Sequence, residues 1–284
     1  MKITPYLSAR LMLEDCESFL LENKYMNNLM LGILHRIKDD EVTYGDLYLK
    51  VEDGTHALVL CMSGLYLILY ANSVADAIYE AAVNYLIDHK VEFPGIVGPV
   101  DMCEAFKMAY TKITHKTMRV HMNQRIYVNT TLIKASRLKG DIEMPRNADR
   151  PILKQWMSDF YIMVGEKPSE DIVEKKLMDI IDHQSLFVYR HRGEIVTMAG
   201  FSRPFKQTVS LAYVYTPEKH RGKGFATHCV ERLTEWLLAR YEGVTLYTDL
   251  SNPISNSIYQ KIGYRPIGDS VVYIVSQTDS VDQS

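Results

Sequence analysis

Arg221, Gly222, Lys223, Gly224, Phe225 and Ala226 stand between a β-rich run and a segment of helical periodicity, an arrangement that can hold an anion. In the segment that follows, Ala226, Cys229, Val230, Leu233 and Leu237 recur at i, i+3, i+4, i+7 and i+11, one face of a 3.6-residue period. Glu231, Arg232, Glu235 and Arg240 fall mostly off that face. A glycine-bearing loop that opens straight into a helix leaves backbone N–H groups unpaired at the positive end of the helix dipole, which suits phosphate. Two phosphate loops can be tested by their own chemistry. A P-loop holds magnesium through a Ser or Thr after its Gly-Lys, but Gly224 follows Lys223, and no glycine stands five residues before Gly222. The dinucleotide fingerprint needs a third small residue, and His228 stands near where only Gly or Ala lets helix and strand approach. Both nucleotide readings fail.

What remains is Arg221-x-x-Gly224-x-Ala226 after a β-rich run. It resembles the acyl-CoA loop of the GNAT superfamily of N-acetyltransferases, whose pattern is Gln or Arg, two residues, Gly, one residue, then Gly or Ala. The likeness extends through VYTPEKHRGKGFA, from Val214 to Ala226. Downstream, NPISNSIYQKIGYRP resembles the superfamily's later motif, in which an Asn is followed seven residues on by a Tyr and then by a Gly-aromatic pair. Here these are Asn252, Tyr259, Gly263 and Tyr264. Read by themselves, Asn252 before Pro253 makes a good N-cap and first helical residue, and Gly263 suits the position just past a helix end. On these two motifs, in the right order, the chain is identified as a member of the superfamily.

The resemblance implies an acyl-CoA-dependent N-acyltransferase. It would move an acetyl group from acetyl-CoA to a primary amine of a small molecule or amino acid by direct attack, with no metal. Backbone N–H groups of Arg221 to Ala226 would face the pyrophosphate, and Val214, Tyr215 and Thr216 would hold the pantetheine and polarise the thioester. Tyr259 matches the family's usual general acid, since a phenol is protonated at neutral pH and can donate to a departing thiolate; its other reading is a packed aromatic. Asn252 and Asn256 are candidate cofactor contacts, with Asn252 equally well explained as a helix cap. Glu166, Glu194, Asp249 and His183 are conceivable proton acceptors, and no single base is legible. The rival from another class is a non-catalytic acyl-CoA-binding regulatory module.

The net charge of −3 gives no electrostatic case for nucleic acid or an anionic membrane. The four cysteines, Cys16, Cys61, Cys103 and Cys229, form no CxxC or Cys/His cluster, which fits a reduced cytoplasmic compartment and not a structural zinc site. From Gly54 to Ala75 no Asp, Glu, Lys or Arg occurs. Ser63-Gly64 and the alternation of Leu65, Leu67 and Leu69 with Tyr66, Ile68 and Tyr70 make this stretch buried strands joined by a turn, not a membrane span.

At 284 residues, two domains are the default. Residues 8–36 read as helix broken near Asn27-Asn28; Val42 to Val51, His56 to Met62 and Leu65 to Tyr70 as strands; Val74 to Asp88 and a segment from Asp101 as helices; and Met118 to Leu132 as a long strand. This order is that of the superfamily without its glycine loop. It predicts a degenerate GNAT-like domain over residues 1–137, a catalytic domain over 138–276 and a disordered tail over 277–284. Each domain is expected to be α/β, a mixed, mostly antiparallel twisted sheet flanked by helices. In the second, helices from Asp149 and Ser169 precede a hairpin about Arg192-Gly193, the strand Thr208 to Tyr215, and strands at Val244 to Asp249 and Val271 to Val275. The two-domain plan also resembles the glycine N-acyltransferase-like branch. The protein is expected as a monomer or homodimer.

Overall fold

The structure, a computed structural model, describes residues 1–40 and 45–276. The chain divides into two compact units, Met1–Ile126 with the segment from Gly268 onward, and Tyr127–Ile267. The expected tail over 277–284 and the start of the expected strand at Val42 to Tyr44 lie outside the described residues.

The first unit runs β1 (Lys2–Pro5), α1 (Ala9–Leu21), α2 (Asn28–Ile37), β2 (Leu47–Glu52), β3 (Ala57–Met62), β4 (Leu67–Ala71), α3 (Asp76–Asp88), β5 (Gly95–Pro99), α4 (Val100–Thr114) and β6 (Met118–Asn129), the last crossing into the second unit. Strands β1 to β4 pair antiparallel in sequence order, and β4 meets β5 in parallel at Leu67↔Ile96 and Ile68↔Val97. Leu49, Val51, Leu58 and Leu60 turn one face of this sheet toward α3 and α4, where Ile78, Tyr79, Val83 and Phe106 complete a core. The charge-free stretch from Gly54 to Ala75 is the β3–β4 pair, turning at Gly64 with φ +123°. No helix among the described residues is long and apolar enough to cross a membrane.

The second unit runs β7 (Ile142–Glu143), α5 (Arg150–Met163), α6 (Glu170–Asp182), β8 (Leu186–His191), β9 (Glu194–Phe205), β10 (Thr208–Tyr215), α7 (Phe225–Leu238), β11 (Gly243–Asp249) and α8 (Pro253–Lys261). Its sheet, in order β7-β8-β9-β10-β11, is antiparallel except for the parallel β10–β11 pair. Cys229, Val230, Leu233 and Leu237 of α7 pack on one face with Val209, Leu211, Val244 and Leu246, the helical stripe that the spacing predicts. Leu153, Trp156, Val173 and Leu177 of α5 and α6 cover the other face.

The strand expected at Val271 to Val275 is longer and belongs elsewhere: β12 (Arg265–Val275) pairs antiparallel with β5, from Ser270↔Pro99 to Ile274↔Gly95. This pairing is why the segment from Gly268 joins the first unit, whereas a division at 137/138 places residues up to 276 with the second. A side chain at Gly95 would overlap the Tyr273 carbonyl, so glycine is what lets β5 and β12 close together. The short strands β1 and β7 have no alternation long enough to be read locally. The fold class is as expected, mixed α/β with a mostly antiparallel sheet flanked by helices.

Candidate active site

Strands β10 and β11 pair only at Thr208↔Gly243, Val209↔Val244 and Ser210↔Thr245, although β10 continues to Tyr215 and β11 to Asp249. On its other edge β10 carries a β-bulge. Between Ala212 and Tyr215 it uses one residue more than β9 does between Gly200 and Met198, and Tyr213 takes φ +55°. The bulge re-aims the end of β10, and the two parallel strands part there. Val214, Tyr215 and Thr216 line the opening.

Beyond Thr216 the chain makes a short 3-10 turn, Glu218–His220, and enters α7 through Gly222 and Gly224 at φ +74° and +80°. A Cβ at either glycine would meet no atom of the protein within 4 Å. Left-handed backbone is therefore what these positions require, and the space beside them is open. Gly224 is the N-cap of α7 and has no side chain to cap the helix, so among the described residues no side-chain cap takes up the N–H groups of its first turn. The Arg221 guanidinium turns back, its Nε donating to the Thr216 carbonyl at 3.0 Å, and ties the two ends of the loop.

These elements enclose a cavity of about 430 Å³, a volume ordinary for a small-molecule site. The structure brings together on its lining Val214, Tyr215, Thr216, Arg221, Gly222, Gly224, Phe225, Ala226, Asn252 and Tyr259. Lys223 and Asn256 do not line it. Lys223 Nζ donates to the Lys219 carbonyl.

Residues 150–264 match the acetyltransferase (GNAT) family. This stretch is a GNAT acetyltransferase domain. Over 115 residues, 40% of this chain and 47% of the relative, the protein is 27% identical to YobR of Bacillus subtilis, an uncharacterised N-acetyltransferase. The match thus spans about half the length of that relative. Two solved structures share the fold over nearly the whole chain. One is a GNAT-family acetyltransferase from Colwellia psychrerythraea, at 12% identity and TM-score 0.59, covering 98% of this chain and 100% of the other. The second, a GCN5-related N-acetyltransferase from Sphaerobacter thermophilus, shows 10% identity and TM-score 0.61, covering 95% and 94%.

In the GNAT domain Tyr259 is placed by the end of its own helix. The Tyr264 N–H and the Gly263 N–H bond the carbonyls of Tyr259 and Gln260, the paired bonds of a Schellman motif, with Gly263 at φ +99°. The Tyr259 ring meets Tyr264 edge-on at 5.9 Å and is 9% exposed. Burial pushes its pKa up to about 12, so the phenol is protonated throughout the neutral range. Among the described residues its hydroxyl has no hydrogen-bond partner, and the side chain faces the cavity. Tyr215 is different, because its hydroxyl donates to Asp159 of α5 at 2.9 Å. Burial first, and then Asp159, hold it at about 12.

Asn256 is a brace. Its Nδ2 donates to the carbonyls of Asp249 and Asn252 at 3.3 and 2.8 Å, closing the turn from β11 into α8 and setting Asn252 at the cavity. Pro253 begins α8, as the spacing predicts. None of the four conceivable bases lines the cavity. Glu194 takes Lys219 Nζ at 2.7 Å, a partner that holds its carboxyl below the usual range. Asp249 accepts from the Ser251 N–H, and exposed His183 bonds the Asp179 carbonyl. Glu166 lies in the loop after α5.

Met163, His220, Thr227 and Ile258 also line the cavity and were not singled out by sequence. Thr227 and Ile258 follow from the two motifs once each is seen as a helix, since both adjoin named positions. Met163, at the end of α5, has no local signal. The buried His220 ring stands edge-on to Phe225, its Nε2 3.4 Å from Glu194 without hydrogen-bond geometry.

Proposed function

We propose that the second unit is an acyl-CoA-dependent N-acyltransferase that moves an acetyl group from acetyl-CoA to the primary amine of a small molecule or amino acid. The observation that carries this reading is convergence: an uncapped helix entrance with two left-handed glycines, the parted end of β10 and the protonated hydroxyl of Tyr259 share one cavity. The residues fit the co-substrate. Gly222, Gly224 and Ala226 present backbone beside open space for the phosphates, and Val214 to Thr216 flank a channel between the strands. When bound, the co-substrate supplies an activated acyl group and a thiolate leaving group. Tyr259 is the group able to give that thiolate its proton. The Tyr215–Asp159 bond anchors β10 to α5 and keeps the channel wall in place.

The first unit is read as a copy of the same plan without a cofactor loop. Its β4 and β5 are also parallel and followed by helices, but residues 72–75 contain no glycine, and Asp76 puts a carboxylate in the first turn of α3. Met102 Sδ accepts the Ala71 N–H at 3.2 Å at the end of β4. An acid at the helix entrance opposes phosphate, where the second unit has none in its first turn. The protein is further proposed to work in the cytoplasm, as monomer or homodimer, without nucleic acid or membrane partners.

One observation favours a second reading, a non-catalytic acyl-CoA-binding module: among the described residues no carboxylate lines the cavity. Calorimetric titration with acetyl-CoA, with ATP and NAD as controls, followed by thiol release in the presence of amines, separates the two. Binding with release supports the enzyme; binding without release against a broad amine panel supports the module. Preference for ATP or NAD over acetyl-CoA removes both.

A further inference from the structure

Residues 134–141, which precede the GNAT domain, lie along α7. Glu231 Oε2 accepts the backbone N–H groups of Ala135 and Ser136 at 2.6 and 2.7 Å. Arg232 grips Asp141 with two bonds of 3.1 Å, and Glu235 takes Lys134 Nζ at 3.2 Å. His228 Nε2 is 3.2 Å from the Gly140 carbonyl, which can only accept, so Nε2 carries the proton. Nδ1 then accepts the Ser136 hydroxyl at 3.0 Å, and the Ser136 Oγ in turn accepts the Leu138 N–H. Residues 228, 231, 232 and 235 follow i, i+3, i+4 and i+7, so one polar stripe of α7 is given over to this strap. Two of its members are core-like, with His228 3% and Glu231 5% exposed.

A charged carboxylate is buried at a cost unless its bonds are met, and here both are to backbone N–H groups of a segment without regular structure. The bonds hold the strap and, reciprocally, fix the rotation of α7 about its axis. The fixed end is the one that matters for ligand. His228 makes the first turn's bond to the Gly224 carbonyl, 3.0 Å, and side chains on a helix lean toward its N-terminus. Tyr189 of β8 ties the same corner. Its hydroxyl donates to the Lys139 carbonyl at 2.9 Å, and its ring stands 4.6 Å from His228 and 6.0 Å from Phe225.

We propose that residues 134–141 are a positioning strap for the phosphate-binding entrance of α7, with Glu231 and His228 as positioning residues that never touch the ligand. This rests on the acyl-CoA reading of the cavity. Loosening the strap lets the helix entrance rotate, so acyl-CoA binds less tightly, while Tyr259 on α8 is left in place.

The test is calorimetry of the full chain with acetyl-CoA, comparing wild type with Glu231→Ala, Glu231→Gln and Ser136→Ala. Loss of folded protein lowers the stoichiometry and leaves Kd unchanged; a displaced helix entrance raises Kd at unchanged stoichiometry. Glu231→Ala is expected to raise Kd by about tenfold, the scale of a small misplacement of a binding group. Glu231→Gln, which keeps an acceptor for both N–H groups, stays within about twofold by the same reasoning. Ser136→Ala removes the His228 link and the bond from the Leu138 N–H, and raises Kd in the same direction by a smaller factor; it carries the test if Glu231→Ala fails to fold. Wild-type binding with Kd unchanged in the variants overturns the strap alone. No binding by folded wild type overturns the acyl-CoA reading and the strap with it.

Discussion

Gly224→Ala separates the stability of the loop from its capacity to bind. At φ +80° an L-residue is strained by about 1–2 kcal/mol, and the gain from a stiffer unfolded chain returns roughly 0.4–1 kcal/mol. The added methyl would meet nothing in the protein within 4 Å, so no clash adds to this. The net cost is about 1 kcal/mol, which for a domain of this size moves Tm by roughly 2–4 °C. Binding should suffer far more, because the open space at Gly224 is where the proposed phosphates approach the backbone. Losing one hydrogen bond to a charged group costs about 1.5–3 kcal/mol, or roughly tenfold to a hundredfold in Kd. Differential scanning calorimetry and an acetyl-CoA titration on the same sample measure both. A Kd within twofold of wild type, with the small Tm shift observed, would refute the cradle, since the methyl would then stand where no ligand comes.

Three further outcomes follow from the same geometry. Tyr259→Phe should lower kcat by about a hundredfold or more and leave acetyl-CoA affinity unchanged; unchanged turnover removes the phenol from the mechanism. Because burial raises the Tyr259 pKa to about 12, its proton is lost only as pH rises through that value. The pH–rate profile should therefore show no descending limb from this group between pH 7 and 10, and a limb near 10 that vanishes in Tyr259→Phe contradicts the burial. Gly263→Ala is the opposite of Gly224→Ala: φ is +99° and the methyl would stand 2.7 Å from the Thr131 carbonyl, so backbone must move. The expected loss is about 3 kcal/mol or more of stability, read by denaturant unfolding, with a Tm shift clearly larger than that of Gly224→Ala.

The parts of the site legible in sequence are those whose chemistry is local. The glycines of the loop, the apolar stripe of α7, Pro253 at the start of α8 and Gly263 past its end each answer to the backbone conformation of their own few residues. Tyr259 follows from them, because a helix with both ends fixed leaves its side chains no choice of direction. What escaped the sequence depends on partners far along the chain. The tail strand β12 reads as one more strand of the second half, and only its register against β5, with Gly95 letting the two close, assigns it to the first unit. Glu231 lies off the apolar stripe by helical spacing, yet it is buried. The cover comes from a polar segment nearly a hundred residues earlier, and no periodicity of α7 encodes it.

The two units show why the fold by itself does not decide the chemistry. Both have a parallel pair of strands that share only their first few pairs, and both follow the first strand of the pair with a helix. A parted pair is a channel only if nothing on the chain fills it. In the first unit the Ala71 N–H is spent on Met102, and the helix entrance carries Asp76 instead of glycines. In the second, the bulge at Tyr213, the left-handed Gly222 and Gly224 and the Tyr259 hydroxyl, unbonded among the described residues, are each a departure from the most stable local choice. Positive φ at Tyr213 costs free energy that ordinary strand geometry would not, and a phenol that faces a cavity with no partner among the described residues forgoes a hydrogen bond within the chain. Departures of this kind persist where something else holds them in place. Here the Tyr215–Asp159 bond, the Schellman end of α8 and the strap on α7 do so, one for each wall of the cavity.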